Sequence, residues 1–224
     1  MITNKIKMLI LLLLCCVSAF AQKKTTTAAL AAGKITIDGI VDEQEWQSAG
    51  VADHFIMYEP DNNKPEDSLR KTVVRILYDN DAIYFGAVMY DDPKTILREI
   101  ALRDNFVTAD HFGVFINGYN DGQQDFRFFV SAAGTQGDCL ATTDNEDYSW
   151  DAIWYSAVKI TDFGWVAEMK IPYAALRFPE SPVQKWGLNI YREIRKFRQK
   201  LTWNLIDRNI GSAIVQNGLL EGIH

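Results

Sequence analysis

Cysteine is nearly absent: the chain has three in 224 residues, and two of them, Cys15 and Cys16, lie inside an apolar N-terminal run. Cys139 is the one thiol beyond that run, which excludes an intrachain disulfide and any cysteine-rich zinc cluster there. Histidine is equally scarce. His54, His111 and His224 form no metal-binding pair at helical spacing, and neither a nucleophile elbow nor a phosphate-cradling glycine loop occurs. Basic residues are outnumbered, 23 against 29 acidic, for a formal charge of −6, which argues against nucleic acid and anionic lipid as partners. After the N-terminal run, no segment approaches the roughly 18 consecutive apolar residues of a membrane-spanning helix.

What is present begins with an export signal. Lys5 and Lys7 precede the apolar stretch from Met8 to Val17, and Ala19-Phe20-Ala21 fits the small-x-small cleavage rule, so residues 1–21 read as a signal peptide. Export places the protein in the periplasm, at the outer membrane or outside the cell. A lipoprotein reading needs cleavage before Cys15 or Cys16, and the leucines preceding them lack the small residues of such a site. Loss of Lys5 and Lys7 leaves a more acidic mature chain of roughly 200 residues, long enough for one sizeable core. Residues 22–33 read as a disordered leader and residues 34–224 as a single domain.

That domain reads as short strands separated by turns. Ile35 and Ile37 alternate with polar neighbours, and Asp38-Gly39 is turn chemistry. Asp42 and Glu45 have the spacing of a reciprocal capping box, and Val41 can staple onto Trp46, which pins an indole against a sheet edge. Val73–Tyr78 and Ala82–Tyr90 flank Asp79-Asn80-Asp81 as a hairpin. Lys94–Leu102 has the composition of a short helix after the Asp92-Pro93 stop. Phe112–Asn117 pairs with Asp125–Ser131, and Ala152–Ile160 with Gly164–Ile171, the latter placing Trp165, Ala167, Met169 and Ile171 on one face. Pro172–Leu176 forms one helical turn, and Trp186–Ile194 and Lys200–Ile206 close the domain. The pattern predicts an all-β fold, an antiparallel β-sandwich of jelly-roll type with one or two short helices.

Four segments, Ile37–Trp46, Val73–Asp79 with Ile83–Phe85, Asp110–Asn117 and Gly164–Pro172, together resemble the family 9 carbohydrate-binding modules. Gly134–Asp138, Trp150–Trp154 and Leu176–Phe178 resemble the version of that module fused ahead of an outer-membrane barrel in Bacteroidota. The resemblance implies a β-sandwich that holds the end of a sugar chain between aromatic rings, with calcium as a structural ion. It implies a sugar-contacting role for Arg127 and aligns Asp110 with the acidic residue that opens the preceding strand. Phe106-Val107 stand where the sugar binders have a stacking tryptophan, Gly113 replaces a ligand-contacting glutamate, and Asn209-Ile210 lie near the position of the second tryptophan.

Trp46, Trp165 and Trp186 read as packing residues on apolar faces. Trp150 and Trp154 follow the acidic loop 142–149 and join Phe106, Asp110 and Arg127 as the candidate carbohydrate-binding set. Arg127 reads equally as a salt-bridged arginine on a sheet face. Asp144 and Asp147 are candidate calcium ligands within a cluster of carboxylates that also reads as a solvated loop, and no other cofactor is required. No catalytic residues stand out, because 29 acidic side chains guarantee chance pairs of the kind a glycosidase needs.

Three functions compete: an exported, non-catalytic sugar-binding module, an interaction domain that docks on an outer-membrane partner, and a haem binder using His54, His111, Met57 or Met89. Convergence of Phe106, Arg127 and Trp150 on one groove would favour the first reading, and their separation the second.

Overall fold

The computed structural model describes residues 23–106 and 108–224, so the signal segment lies outside the described residues. In chain order the strands are β1 (Thr25–Thr27), β2 (Ala29–Leu30), β3 (Gly50–Ala52), β4 (Ile56–Glu59), β5 (Lys64–Pro65), β6 (Thr72–Tyr78), β7 (Ala82–Tyr90) and β8 (His111–Asn117). They continue as β9 (Gln124–Ser131), β10 (Gln136–Thr142), β11 (Glu146–Asp147), β12 (Tyr155–Ile160), β13 (Gly164–Pro172), β14 (Gln184–Ile194), β15 (Gln199–Thr202) and β16 (Gly218–Ile223). The larger sheet runs β11-β10-β9-β8-β14-β15-β4-β5, with β16 also on β14 and β1 on β16. The smaller sheet runs β12-β13-β7-β6-β2, with β3 on β6. This is the all-β, antiparallel-rich sandwich expected from the sequence.

The core between the sheets follows the period-2 alternation. Phe112, Val114 and Ile116 on β8, Phe126, Phe128 and Val130 on β9, and Trp165, Ala167, Met169 and Ile171 on β13 all point into it. Arg192 is fully buried at one end of this layer, donating to the carbonyls of Arg70, Lys71 and Tyr90 and to Thr72 Oγ1. A guanidinium can lie there because the carbonyls replace water and Asp91, Asp110 and Glu66 supply opposite charge.

Several local readings differ. Residues 25–27 and 29–30 of the expected leader are strands, because β1 pairs in parallel with β16 and β2 with β6, supplying backbone partners that alanine and threonine alone do not advertise. Among the described residues the helical turns are all 3-10, and Lys94–Leu102 keeps only Pro93–Thr95 in that form. Ile96 alone is buried while Ile100 and Leu102 are exposed, so that segment buries no continuous apolar face to stabilise a helix. The capping box is not formed. Glu43, rather than Asp42, precedes the turn Gln44–Gln47, and its carboxylate accepts from Thr36 N and Trp46 Nε1.

The indole still packs, but on a sheet face. Trp46 and Val41 cover Gly86 on central strand β7, where a Cβ would come within 2.9 Å of Val41 and 3.1 Å of Trp46. The Asp38-Gly39 turn is anchored by Glu168 of β13, whose Oε2 accepts from both amides at 2.9 and 2.8 Å. Two of the four sequence segments that suggested the family are thus held together by one buried carboxylate.

Candidate functional site

The outer face of the larger sheet carries a second row of rings. On β8 and β9, His111, Phe115 and Phe129 point away from the core. Strand register then decides what stands beside them. Gly113 lies between Phe129 on β9 and Tyr191 on β14, and Arg127 lies between Phe115 and Cys139. Lacking a side chain, Gly113 lets the neighbouring rings lean together. A Cβ there would sit 2.6 Å from the Phe129 ring, and the Phe129 and Tyr191 centroids are 6.2 Å apart at 85°. The space of a side chain at position 113 is therefore filled by phenylalanine.

Phe106 completes the row from a loop. Asp104 N donates to Gln136 O and the Asp104 carboxylate accepts from Asp138 N, which seats Phe106 over Gly137. Its ring stacks on His111 at 4.8 Å and meets Phe129 at 5.6 Å. Phe115 stacks on Tyr191 at 5.8 Å and 23°. The rings form the floor of a groove of about 550 Å³, within the range usual for small-ligand sites. One wall is the β10–β11 connection, residues 142–148, and the other is the segment from Ile206 to Ile214.

Polar groups ring this floor. The Arg127 guanidinium lies 4.4 Å from the Phe115 centroid, with Nη1 donating to Glu146 and Nη2 to Asp125 at 3.3 Å. Lys200 pairs with Glu59 at 2.8 Å. Tyr191 donates to Glu193 Oε2 at 2.8 Å, Arg195 donates to Glu193 Oε1 at 2.7 Å, and His111 Nε2 lies 3.6 Å from Glu193. Burial pushes the Glu193 carboxyl up, but the Arg195 hydrogen bond, His111 and the Tyr191 hydroxyl outweigh it and leave the group below its ordinary value. Burial lowers the His111 imidazole, partly offset by Glu193 and the Ala109 carbonyl. Such a surface can stack a flat C–H face and hydrogen-bond hydroxyls at its edge.

The five candidate binding residues separate. Phe106 and Arg127 share the groove. Asp110, immediately before β8, is 1% exposed, accepts from Arg195 N at 2.9 Å, and has its carboxyl pushed up to about 6 by burial. Trp154 is 4% exposed and donates its N–H to Asp138 at 2.7 Å, so it offers no ring face to solvent. Trp150 is half-buried against Phe126 and Phe128, on the opposite face of β9 from Arg127. It lines a different cavity. The proposed convergence therefore holds for two of its three residues.

Asp144 lines the groove, while Asp147 Oδ1 is taken by the amide and hydroxyl of Ser149. Calcium takes six to eight oxygens, and among the described residues no three His, Cys, Asp or Glu side chains gather to hold a metal ion. Met57 and Met89 are core residues, His111 faces the groove and is tied to Ala109 O and Glu193, and His54 is exposed beside Asp53.

Phe115, Phe129 and Tyr191 were not singled out from sequence. The available signal was weak: Phe115 and Phe129 stand among His111, Gly113, Asp125 and Arg127 on the otherwise polar alternation of β8 and β9.

The family model for carbohydrate family 9 binding domain-like proteins matches residues 37–198. The chain belongs to that family. Its fold also matches solved relatives. A family 9 carbohydrate binding module from Caldicellulosiruptor kristjanssonii in complex with cellotriose superposes with a TM-score of 0.66 at 15% identity, covering 89% of this chain and 94% of that one. The same organism's family 9 module in complex with glucose gives 0.65 at 15%, covering 90% and 97%. A candidate carbohydrate-binding protein from Bacteroides uniformis gives 0.70 at 13%, covering 90% and 100%. No curated protein matches the chain.

Proposed function

We propose that this family member is an exported, non-catalytic carbohydrate-binding module that takes the end of a glycan into the groove floored by Phe106, Phe115, Phe129 and Tyr191. The observation that carries the reading is the meeting of these rings with Arg127 in one concavity of about 550 Å³ on a fold shared with modules solved with cellotriose and glucose. A pyranose lays its axial C–H face on Phe106 and turns its hydroxyls toward Arg127, Lys200 and the Glu193 carboxylate. Any breakdown of the glycan is the work of a partner enzyme or a fused domain. Residues 1–21 act as the export signal, placing the module in the periplasm, at the outer membrane or outside the cell.

Calorimetry with glucose, cellotriose and a panel of plant, algal and host oligosaccharides tests it. At least one is expected to bind, with at least tenfold weaker affinity after Arg127→Ala. A panel with no binder ends the proposal.

One observation favours a second reading. Both terminal nitrogens of Arg127 are already engaged by Asp125 and Glu146, and Phe115 and Phe129 are each 6% exposed. An interaction domain that has given up sugar and docks on an outer-membrane or periplasmic protein fits such a groove. Co-purification of a membrane partner by the full chain, with no sugar bound, decides for this alternative.

A further inference from the structure

We propose a second saccharide site, separate from the groove, in which Trp150 is the stacking platform and a neutral glycan segment is the ligand. The cavity is about 690 Å³ and lies on the other face of β9, where Phe126 rather than Arg127 points. Trp150 forms its apolar wall, held by Phe126 at 5.3 Å and 59° and by Phe128 at 5.9 Å and 71°. The ring is thereby fixed in orientation before any ligand arrives, so little ordering entropy is lost on stacking.

This indole differs from the other five. Trp46, Trp154, Trp165, Trp186 and Trp203 are each at most 4% exposed, and three of them donate their N–H to Glu43, Asp138 and Gln184. Trp150 is only half-buried, and its N–H has no hydrogen-bond partner among the described residues. The rim matches it. Tyr119, Gln123 and Gln124 line the cavity with hydroxyl and amide heads that are likewise unbonded among the described residues. Three charged side chains also line it: Asp121 accepts from Asn117 and Gln123 N, Asp151 pairs with Arg103, and the exposed Arg177 donates to the carbonyls of Ala174 and Leu176. An aromatic face bordered by free planar amides, with Asp121 and Arg177 of opposite sign on its rim, matches polyhydroxyl compounds without net charge rather than strong anions or cations. The two sites face away from each other across one sheet, so a short oligosaccharide reaches one at a time.

The sealed state of the other indoles makes the test specific, since the groove itself is lined by no tryptophan. The full chain is titrated with xyloglucan, galactomannan and mixed-linkage β-glucan while indole emission and acrylamide quenching are read. Expected is a saturable emission change with protection from quenching for at least one polymer, at least tenfold weaker in Gln123→Ala/Gln124→Ala and retained in Arg127→Ala. Unchanged emission and quenching with all three polymers overturns the proposal, as does wild-type affinity in the double variant or loss of the signal in Arg127→Ala. Failure of the groove reading is distinguishable, because it appears in calorimetry as oligosaccharide binding that is absent or indifferent to Arg127→Ala while the indole signal persists.

Discussion

The two outer faces of the sandwich use the same device to opposite ends. On the smaller sheet, Gly86 leaves a notch in a central strand, and Trp46 and Val41 fill it from the N-terminal segment, which Glu168 anchors through Asp38 and Gly39. That face is closed. On the larger sheet, Gly113 and Gly137 leave notches under Phe129 and Phe106, but the covering rings belong to the sheet and one loop, and a groove remains above them. Glycine beneath an aromatic ring thus serves packing where the chain returns over it and a binding surface where it does not. The difference lies in which loops pass overhead.

Five tests, four by substitution at one site of the contrast and one by pH, bear on it. Trp46→Ala, at a residue 2% exposed, opens a void beneath the N-terminal segment and is expected to cost about 3–5 kcal/mol in urea unfolding while leaving the groove's ligand affinity intact. A loss below about 1 kcal/mol would mean that the closed face is no more integral than the open one.

Arg127→Ala strands the buried carboxylate of Asp125 and is expected to cost about 3 kcal/mol, with Asp125→Asn in the same chain recovering part of it. Failure of the second change to recover anything would place the arginine's worth in its contact with Phe115 instead. Gly113→Ala forces a Cβ against Phe129, 2.6 Å away, for an expected penalty of about 1–3 kcal/mol and a displaced groove floor; wild-type stability and binding would contradict the notch argument.

The fourth test uses pH. Burial, with Glu43 and Asp38 nearby, pushes the Glu168 carboxyl from 4.5 up to about 7 despite the two amide hydrogen bonds that lower it. The folded state therefore holds the proton more tightly than the unfolded one. Its contribution is complete below pH 4.5 and is lost as pH rises through about 7. The melting temperature is expected to fall between pH 5 and 8. Glu168→Gln, whose carbonyl can accept from the same two amides, should flatten that slope, leaving the share of Asp110, which runs in the same direction up to about 6. Equal slopes in the two proteins would remove Glu168 from the account.

Phe106→Ala is expected to have the smallest effect on stability, about 1 kcal/mol, because its ring is only half-buried, while weakening oligosaccharide binding in calorimetry. The reverse pattern, large destabilisation with unchanged binding, would make Phe106 a packing residue like Trp46.

Much of the sandwich was legible because its central strands are both local and periodic. β6, β7 and their Asp79–Asp81 turn, β8, β9 and β13 are close to where alternation and turn chemistry put them. The short partners β1, β2, β3 and β5 were not, since two- and three-residue strands have no period to read and exist only through neighbours distant in sequence. The site divided similarly. Arg127 and Phe106 were visible through the family resemblance, and Trp150 through the polar loop before it. Phe115, Phe129 and Tyr191 were not singled out, because the alternation of a single strand does not say which of its two faces turns inward.

By itself the amino-acid order determined a two-layer β body, its hairpins and the want of disulfide staples, consequences of alternation, turn chemistry and composition along the chain, while its family was carried by the resemblance of a few segments. Only the tertiary structure decided that Gly113 lies between Phe129 and Tyr191, that Glu168 reaches a turn 129 residues away, and that Arg127 and Trp150 face opposite sides of one strand. Strand register and the course of overhead loops are relations between residues far apart, and their energies exist only once the chain has brought those residues together.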